Sequence, residues 1–310
     1  MAHDTPYHAP VMVAEVLRYL APEGGGLYLD GTLGGGGHTE AILASSDTAK
    51  VIGVDRDPEA IEEASLRLAP FGDRVRLVRS NFAQAVEAAE ILAGSLAGVL
   101  LDLGVSSHQI DASARGFTFR SGAPLDMRMA SGTAGEATAA DLLNELTVEE
   151  LASIFRRYGE EKRARHMARI VGEMRERAPF ERSEQLVEMV ERAIPRSTVQ
   201  DKARIFQALR IAVNREIEAL EDALSKFREA LSAGGVLVVL SYHSLEDRLV
   251  KDAFRDWSRS CICPPQMPMC VCRGVPLGET LTRKPLFASD AETGSNSRAR
   301  SARLRAWRRA

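Results

Sequence analysis

The sequence predicts an open, doubly wound α/β sheet with a small helical domain inserted between its fourth and fifth strands. Three observations carry this. Short apolar runs alternate with amphipathic helical patterns through the first third of the chain, and such alternation builds βαβ units around a parallel sheet. A fifth apolar run follows the fourth by more than 130 residues, although a parallel crossover needs only about a dozen. Glycines and acids stand where several of these runs end, which is where ligands bind in open α/β sheets.

Taken in order, the strands are Leu27 to Asp30, Lys50 to Asp55, Arg74 to Val78 and Gly98 to Asp102. Each is apolar or β-branched and bounded by Gly, Asp or Ser, as strands buried on both faces tend to be. Helical patterns cover Glu40 to Leu43, Glu59 to Leu68 and Phe82 to Leu92. The fifth strand is Val236 to Leu240, after Gly234-Gly235. Ile205, Leu209, Val213, Ile217, Leu220, Leu224, Phe227 and Leu231 recur at three- and four-residue steps, which predicts one long amphipathic helix ending at Gly234. The sheet domain is therefore expected over 1–111 and 204–310. The insertion, 112–203, has helices over Val148 to Tyr158 and Gln185 to Ala193. The alternating run Ser301 to Trp307 predicts a last, edge strand.

With 310 residues, 45% hydrophobic and 27% charged, the chain can bury a sizeable core and is not a disordered one. A net charge of −3 provides no global basic field, so any RNA contact must come from local patches. The N-terminus lacks the basic and apolar stretches of a signal peptide. No apolar run approaches the roughly 20 residues that span a bilayer. A cytoplasmic location without membrane attachment is expected.

The first strand leads into Asp30-Gly31-Thr32-Leu33-Gly34-Gly35-Gly36-Gly37-His38-Thr39, with a helix behind it. Glycines there let the chain turn and let a ligand reach main-chain N–H groups at a helix N-terminus. Thr39 stands where the last glycine of G-x-G-x-x-G belongs, which counts against a dinucleotide. Asp55 ends the second strand about twenty residues on, where a carboxylate accepts ribose hydroxyls; the helix-capping role goes to Asp57-Pro58. Phe82 follows the third strand, suited either to stacking on an adenine or to the core. Asp102 ends the fourth, with Gln109 close behind. Glycine loop, ribose acid and strand-four acid, in that order, look like the class I (Rossmann-like) methyltransferase arrangement.

Longer strings sharpen this. His8-Ala9-Pro10-Val11-Met12, the glycine loop, Asp102-Leu103-Gly104-Val105-Ser106-Ser107 and Pro124-Leu125-Asp126-Met127-Arg128-Met129 are similar to the bacterial 16S ribosomal RNA cytosine-N4 methyltransferase family. So are Arg115-Gly116-Phe117-Thr118-Phe119, Tyr158-Gly159-Glu160-Glu161, Phe206 to Ile211, Ser241-Tyr242-His243-Ser244-Leu245-Glu246-Asp247-Arg248 and Arg298 to Arg305, so the resemblance spans essentially the whole chain. It implies S-adenosyl-L-methionine as cofactor, contacted by Gly36, Gly37, His38, Asp55, Phe82, Asp102 and Gln109. It implies as substrate the N4 amine of a decoding-region cytidine in 16S rRNA of the small subunit, with the insertion facing RNA. Whether the chain forms a homodimer stays open.

For the chemistry, Asp102 or the Leu103 carbonyl is the expected acceptor for the amine hydrogens. The Pro-Pro-aromatic string of many amino-methyltransferases is absent after Asp102, so a stacking side chain must come from elsewhere, with Tyr242, Phe117 and Phe119 as candidates. That absence also disfavours a DNA amino-methyltransferase. Two further functions compete with methyl transfer: an NAD-dependent oxidoreductase, and a non-catalytic ribosome-assembly factor with a nucleoside site. His243 lies beside the expected reaction site as a catalytic candidate, although capping is the commoner job of such a histidine; Ser244 with Asp247 three residues on resembles a capping box.

Six arginines lie within the last thirteen residues, and Arg303 and Arg305 would share a strand face suited to phosphates. Arg156, Arg157, Lys162, Arg163, Arg165 and Arg169 form a second basic cluster, diluted by Glu160 and Glu161. Cys261, Cys263, Cys270 and Cys272 fall within twelve residues. C-x-C is less usual than C-x2-C for zinc; no metal ligand is assigned, and zinc and free or redox-active thiols both stay open.

Overall fold

The computed structural model describes residues 10–104, 115–130, 136–261, 263, 267, 269, 271, 272 and 274–310. Gln109, Cys270 and the start of the His8 string lie outside the described residues. The chain forms two compact units, Met1–Gly104 with Glu218–Ala310, and Val105–Ile217.

The first unit is a seven-stranded sheet in the order β3-β2-β1-β4-β5-β7-β6. Its strands are β1 (Gly26–Asp30), β2 (Ala49–Asp55), β3 (Val75–Arg79), β4 (Leu96–Asp102), β5 (Leu231–Ser241), β6 (Gly278–Thr280) and β7 (Arg303–Arg309). The first five run parallel, and β7 pairs antiparallel with both β5 and β6. Direction along the chain reverses between β1 and its two neighbours β2 and β4, which creates the switch point where such sheets bind ligands. This is the doubly wound class I methyltransferase type of sheet that the sequence predicts.

Both faces of the sheet are covered, so its strands are nearly continuous apolar runs whose alternate residues enter different cores. Val99, Leu101, Leu237 and Val239 pack with Leu220, Leu224 and Phe227 of one helix and Val250 and Phe254 of another. Leu100, Val238 and Leu240 point to the other face, against Val16, Ile42, Leu43 and Leu68. The helices concerned are α1 (Val13–Leu20), α2 (Gly37–Ala44) and α3 (Pro58–Leu68) on one face. On the other are α10 (Glu216–Ala230) and α11 (Ser244–Trp257), together with the short α4 (Ala85–Ala88).

The second unit is helical: α5 (Ala139–Glu145), α6 (Val148–Arg157), α7 (Ala164–Arg175), α8 (Ser183–Ala193) and α9 (Val199–Asn214). Thr138, Thr147 and Thr198 each start a helix with a capping box closed by Asp141, Glu150 and Asp201, which satisfies otherwise orphaned N–H groups. Phe155, Phe180 and Met167 are fully buried in its core.

Four expectations are corrected. The helix foreseen from Ile205 to Gly234 is two helices, broken where Arg215 takes a left-handed conformation (φ 50°). Asn214 anchors the break: its amide donates to the Met127 and Arg210 carbonyls and its Oδ1 accepts from the Met129 N–H. The apolar period runs on through the break because both helices bury a face, and α9 belongs to the helical unit, so the units divide at 217 rather than 203. The helix expected over Phe82 to Leu92 is a 3-10 turn followed by the single turn of α4; Glu90 adopts positive φ and Leu92 is exposed. The C-terminal strand is no edge strand, since β6 covers its outer side and buries Trp307 completely. Arg305 and Arg303 do not form an open phosphate-binding face. Arg305 is buried in a two-pronged ion pair with Asp247, at 2.6 and 3.1 Å; Arg309 donates to the Glu229 and Leu231 carbonyls, and Arg308 pairs with Glu279. Arg305, buried between helix and strand, is spent on the fold, and Arg308 and Arg309 are engaged with neighbours in the sheet unit.

Candidate active site

The C-terminal ends of β1, β2, β4 and β5 deliver Asp30, Asp55, Asp102 and Tyr242 to one rim of the sheet. Asp30 is fully buried, and its carboxylate accepts from the Thr32 N–H (3.2 Å) and the Thr39 hydroxyl (2.8 Å). Thr39, the residue that departs from the dinucleotide fingerprint, thus ties α2 to the end of β1. Burial pushes the Asp30 carboxyl above its ordinary range, opposed by the neighbouring His38 and by those two hydrogen bonds.

The glycine loop turns over this acid. Gly36 caps α2 with a left-handed φ of 80°, and a Cβ there would come within 3.2–3.3 Å of Leu68 and Ala64, so only glycine lets α2 approach α3 this closely. Gly34 also has positive φ, but a Cβ at that position would meet nothing within 4 Å. Its amide donates to Asp55 Oδ2 at 2.8 Å, and the Asp57 amide donates to Oδ1 at 2.9 Å. Asp57 itself caps α3, as the sequence predicts, by accepting from the Glu59 N–H. Asp55 is thereby aimed rather than consumed: each oxygen keeps a lone pair, and the side chain keeps an edge in solvent. Burial raises its pKa to about 6 against the pull of the two amides.

Phe82 follows β3 at the same rim. It is half-buried on the core, with its Cβ 3.5 Å from where a Gly31 Cβ would stand. The Ser80 N–H, one turn before it, donates to the Asp55 carbonyl at 3.0 Å.

Asp102 is held from three directions. Its N–H donates to Thr32 Oγ1 at 2.6 Å, the Tyr242 hydroxyl donates to its Oδ1 at 2.7 Å, and His38 Nε2 lies 3.4 Å from its Oδ2. Burial, then the adjacent Asp102 charge and hydrogen bond, push the Tyr242 phenol well above its usual range, so it stays a donor across the neutral range. His38, fixed in the first turn of α2, is buried, and neither ring nitrogen has a hydrogen-bond partner among the described residues. An unsatisfied buried imidazole costs free energy unless a ligand completes it.

His243 sits differently from the expectation. It is the N-cap of α11: Nδ1 accepts from the Glu246 N–H at 3.3 Å, while Glu246 Oε2 accepts from the Tyr242 and His243 N–H groups. His243 therefore replaces Ser244 as cap, and Glu246 replaces Asp247, which is engaged with Arg305. The sequence reading missed Thr32, Thr39 and Glu246, each of which orients another site residue; their spacing from Asp30 and Tyr242 was the available signal. Leu103 donates its N–H to the Leu240 carbonyl, which keeps β4 and β5 in register beyond Asp102. Phe119 is in edge contact with Phe206 (5.1 Å between centroids) inside the helical unit.

A family model described as the MraW methylase family matches residues 5–310. The chain belongs to this family. The ribosomal RNA small subunit methyltransferase H of Gemmatimonas aurantiaca is 52% identical over 307 residues, covering 98% of this chain and 96% of that protein. That of Heliobacterium modesticaldum is 50% identical over 307 residues, covering 97% of each. That of Syntrophotalea carbinolica is 48% identical over 315 residues and covers both in full. Family membership agrees with the sheet topology and with the departures from a dinucleotide loop. Among the described residues, no helix is long and apolar enough to cross a membrane.

Proposed function

We propose that the protein transfers a methyl group from S-adenosyl-L-methionine to the N4 amine of a cytidine in 16S rRNA of the small ribosomal subunit. The observation that carries this reading is the Asp102 cluster, a largely buried carboxylate held by Tyr242 on one oxygen and left with acceptor capacity on the other. Membership of a methylase family and relatives named as small-subunit rRNA methyltransferases support the reaction class and the substrate.

The residues fit the cofactor. The ring nitrogens of His38, without a hydrogen-bond partner among the described residues, the open space at Gly34 and the solvent edge of Asp55 are what a nucleoside with two vicinal hydroxyls would complete. Asp55 would accept from the ribose hydroxyls, Phe82 would flank the base, Gly36 and Gly37 would allow close approach at the α2 N-terminus, and His38 would line the pocket. Gln109, the remaining residue that the resemblance implies, lies outside the described residues. When bound, the cofactor supplies an electrophilic sulfonium methyl.

What the protein must add is placement, because the cytosine amine has its lone pair delocalised into the ring. Well-oriented reactants can be worth roughly 7–11 kcal/mol. Asp102 Oδ2 would accept one amine hydrogen, and the adjacent Leu103 carbonyl is the other candidate acceptor. Together they turn the nitrogen lone pair toward the methyl carbon. The methylated nitrogen is strongly acidic, so its proton is lost without a dedicated strong base. Tyr242 keeps Asp102 in this orientation, and His243, through Glu246, fixes the backbone from which Tyr242 projects. The helical unit, residues 112–203 extended by α9, is the part that would meet RNA, in the cytoplasm and without a membrane. Its exposed Arg156, Arg157 and Lys162 suit phosphate contacts, and Phe117 and Phe119 are candidates to stack on an unstacked base.

The test supplies tritiated-methyl cofactor with small subunits purified from cells lacking the modification, followed by nuclease digestion and mass spectrometry. Label in one N4-methylcytidine is the expected result. Label at a ring carbon, a ribose hydroxyl or several scattered bases would defeat the proposal.

A further inference from the structure

The segment between α11 and β6 has no part in the methyl-transfer reading, yet its base is firmly built. The Leu277 N–H donates to the Trp257 carbonyl at 2.8 Å, Ser258 Oγ lies 2.9 Å from Thr280 Oγ1, and Trp307 Nε1 donates to Ser258 Oγ at 3.2 Å. A long excursion thus leaves and returns at one fixed point. Its described apolar residues do not make a core of their own: Met269, Val271 and Val275 are each more than half exposed. Loops without a core need another staple.

That staple is legible in the geometry. The sulfur atoms of Cys261, Cys263 and Cys272 all lie within 4.8 Å of one another, although Cys272 is nine residues from Cys263 in sequence. Tetrahedral zinc with Zn–S bonds of about 2.3 Å places its sulfurs about 3.8 Å apart, so small side-chain rotations would close the set on one ion. A disulfide engages two sulfurs and gives no reason for a third to converge on them. We propose that Cys261, Cys263 and Cys272 bind a structural zinc ion that holds the loop between α11 and β6. Each thiol loses its proton to solvent and donates a sulfur lone pair to the metal, with no change of oxidation state. Thiolates favour zinc over magnesium, calcium or manganese, and a closed-shell ion has no d-electron preference opposing a tetrahedral arrangement. The site lies outside the Asp30–Asp55–Asp102 rim and is independent of the methyl-transfer reading.

The experiment uses the full untagged chain, expressed with added zinc and purified without chelator. Elemental analysis by mass spectrometry is expected to find about one zinc per chain. Titrating the wild type with an organomercurial should release that zinc in step with thiol reaction, a readout that needs no variant. Cys263→Ser and Cys272→Ser should lower the bound zinc at least tenfold, whereas Cys272→His, which keeps a nitrogen ligand, should retain it. Cobalt substitution should give a thiolate-to-metal charge-transfer band that Cys263→Ser weakens. A metal-free wild type, zinc untouched by the serine changes, iron in place of zinc, or a disulfide among these cysteines in peptide mapping would each overturn the proposal.

Discussion

Two charge clusters in the sheet unit have opposite characters. Arg305 and Asp247 meet in a two-pronged pair in which each guanidinium bond finds its own carboxylate oxygen. Asp102, two strands away on β4, has a phenol on one oxygen and beside the other an imidazole whose nitrogens have no hydrogen-bond partner among the described residues. The first cluster is complete in itself, and the second, among the described residues, is not. An unfinished buried network is costly to keep, and so it marks a site, whereas a finished one marks a joint. The distinction also separates the two roles open to the arginine-rich C-terminus, where charge density points to RNA and pairing points to the fold.

The comparison is broken most severely at the joint. Arg305→Ala should cost about 3–5 kcal/mol of unfolding free energy in urea titration, because Asp247 is left without its partner. Replacing both with leucine should recover most of that, since well-packed apolar pairs substitute for buried ion pairs at little cost. In both variants, turnover per folded molecule should stay near wild type. A turnover collapse in the stable double variant would put Arg305 or Asp247 in the reaction instead. At the site the signature reverses. Asp102→Asn should leave the melting temperature within a few degrees while turnover falls about 10²–10³-fold, comparable to losing one preorganised polar partner of a transition state. Tyr242→Phe, which loosens Asp102 without removing it, should cost about tenfold in kcat with little change in KM. An unchanged kcat would deny Tyr242 its positioning role.

How far the sequence could foresee this division follows from the range of the interactions. Periodicity reports burial, so the parallel strands and α3 stand within a few residues of where the apolar runs put them. It could not report the break at Arg215, because the preceding Asn214 is held by the Met127 carbonyl and the Met129 N–H, more than eighty positions away. Nor could it see that β6 covers β7, since Gly278–Thr280 is three residues long. Asp55 and Asp102 could be singled out because each ends a strand in a parallel sheet, which sends both to one rim, where the structure adds Asp30. Their supports could not, as Thr32, Thr39 and Glu246 look like ordinary loop and cap residues until the partner is known. His243 shows the converse: its place beside the rim suggested chemistry, and its Nδ1 is occupied by the Glu246 amide.

The gentlest test of the unfinished network is pH. Burial raises the Asp55 carboxyl to about 6, above the roughly 3.9 of an unfolded aspartate. Without ligand, the charged form is therefore disfavoured by folding. The penalty is present in full above about pH 6 and is relieved as pH falls through 6 toward 4. In the proposed complex ribose hydroxyls would donate to the ionised form, so binding would pull the equilibrium the other way and expel a proton below pH 6. Affinity for S-adenosylhomocysteine should thus rise with pH, by up to tenfold per unit, until about pH 6 and then level off. Asp55→Asn should bind more weakly and lose the slope. Calorimetric titrations at pH 5, 6 and 7.5, repeated in buffers of different ionisation enthalpy, separate this proton from the heat of binding. A flat wild-type profile would mean that the Asp55 carboxylate does not meet the ribose.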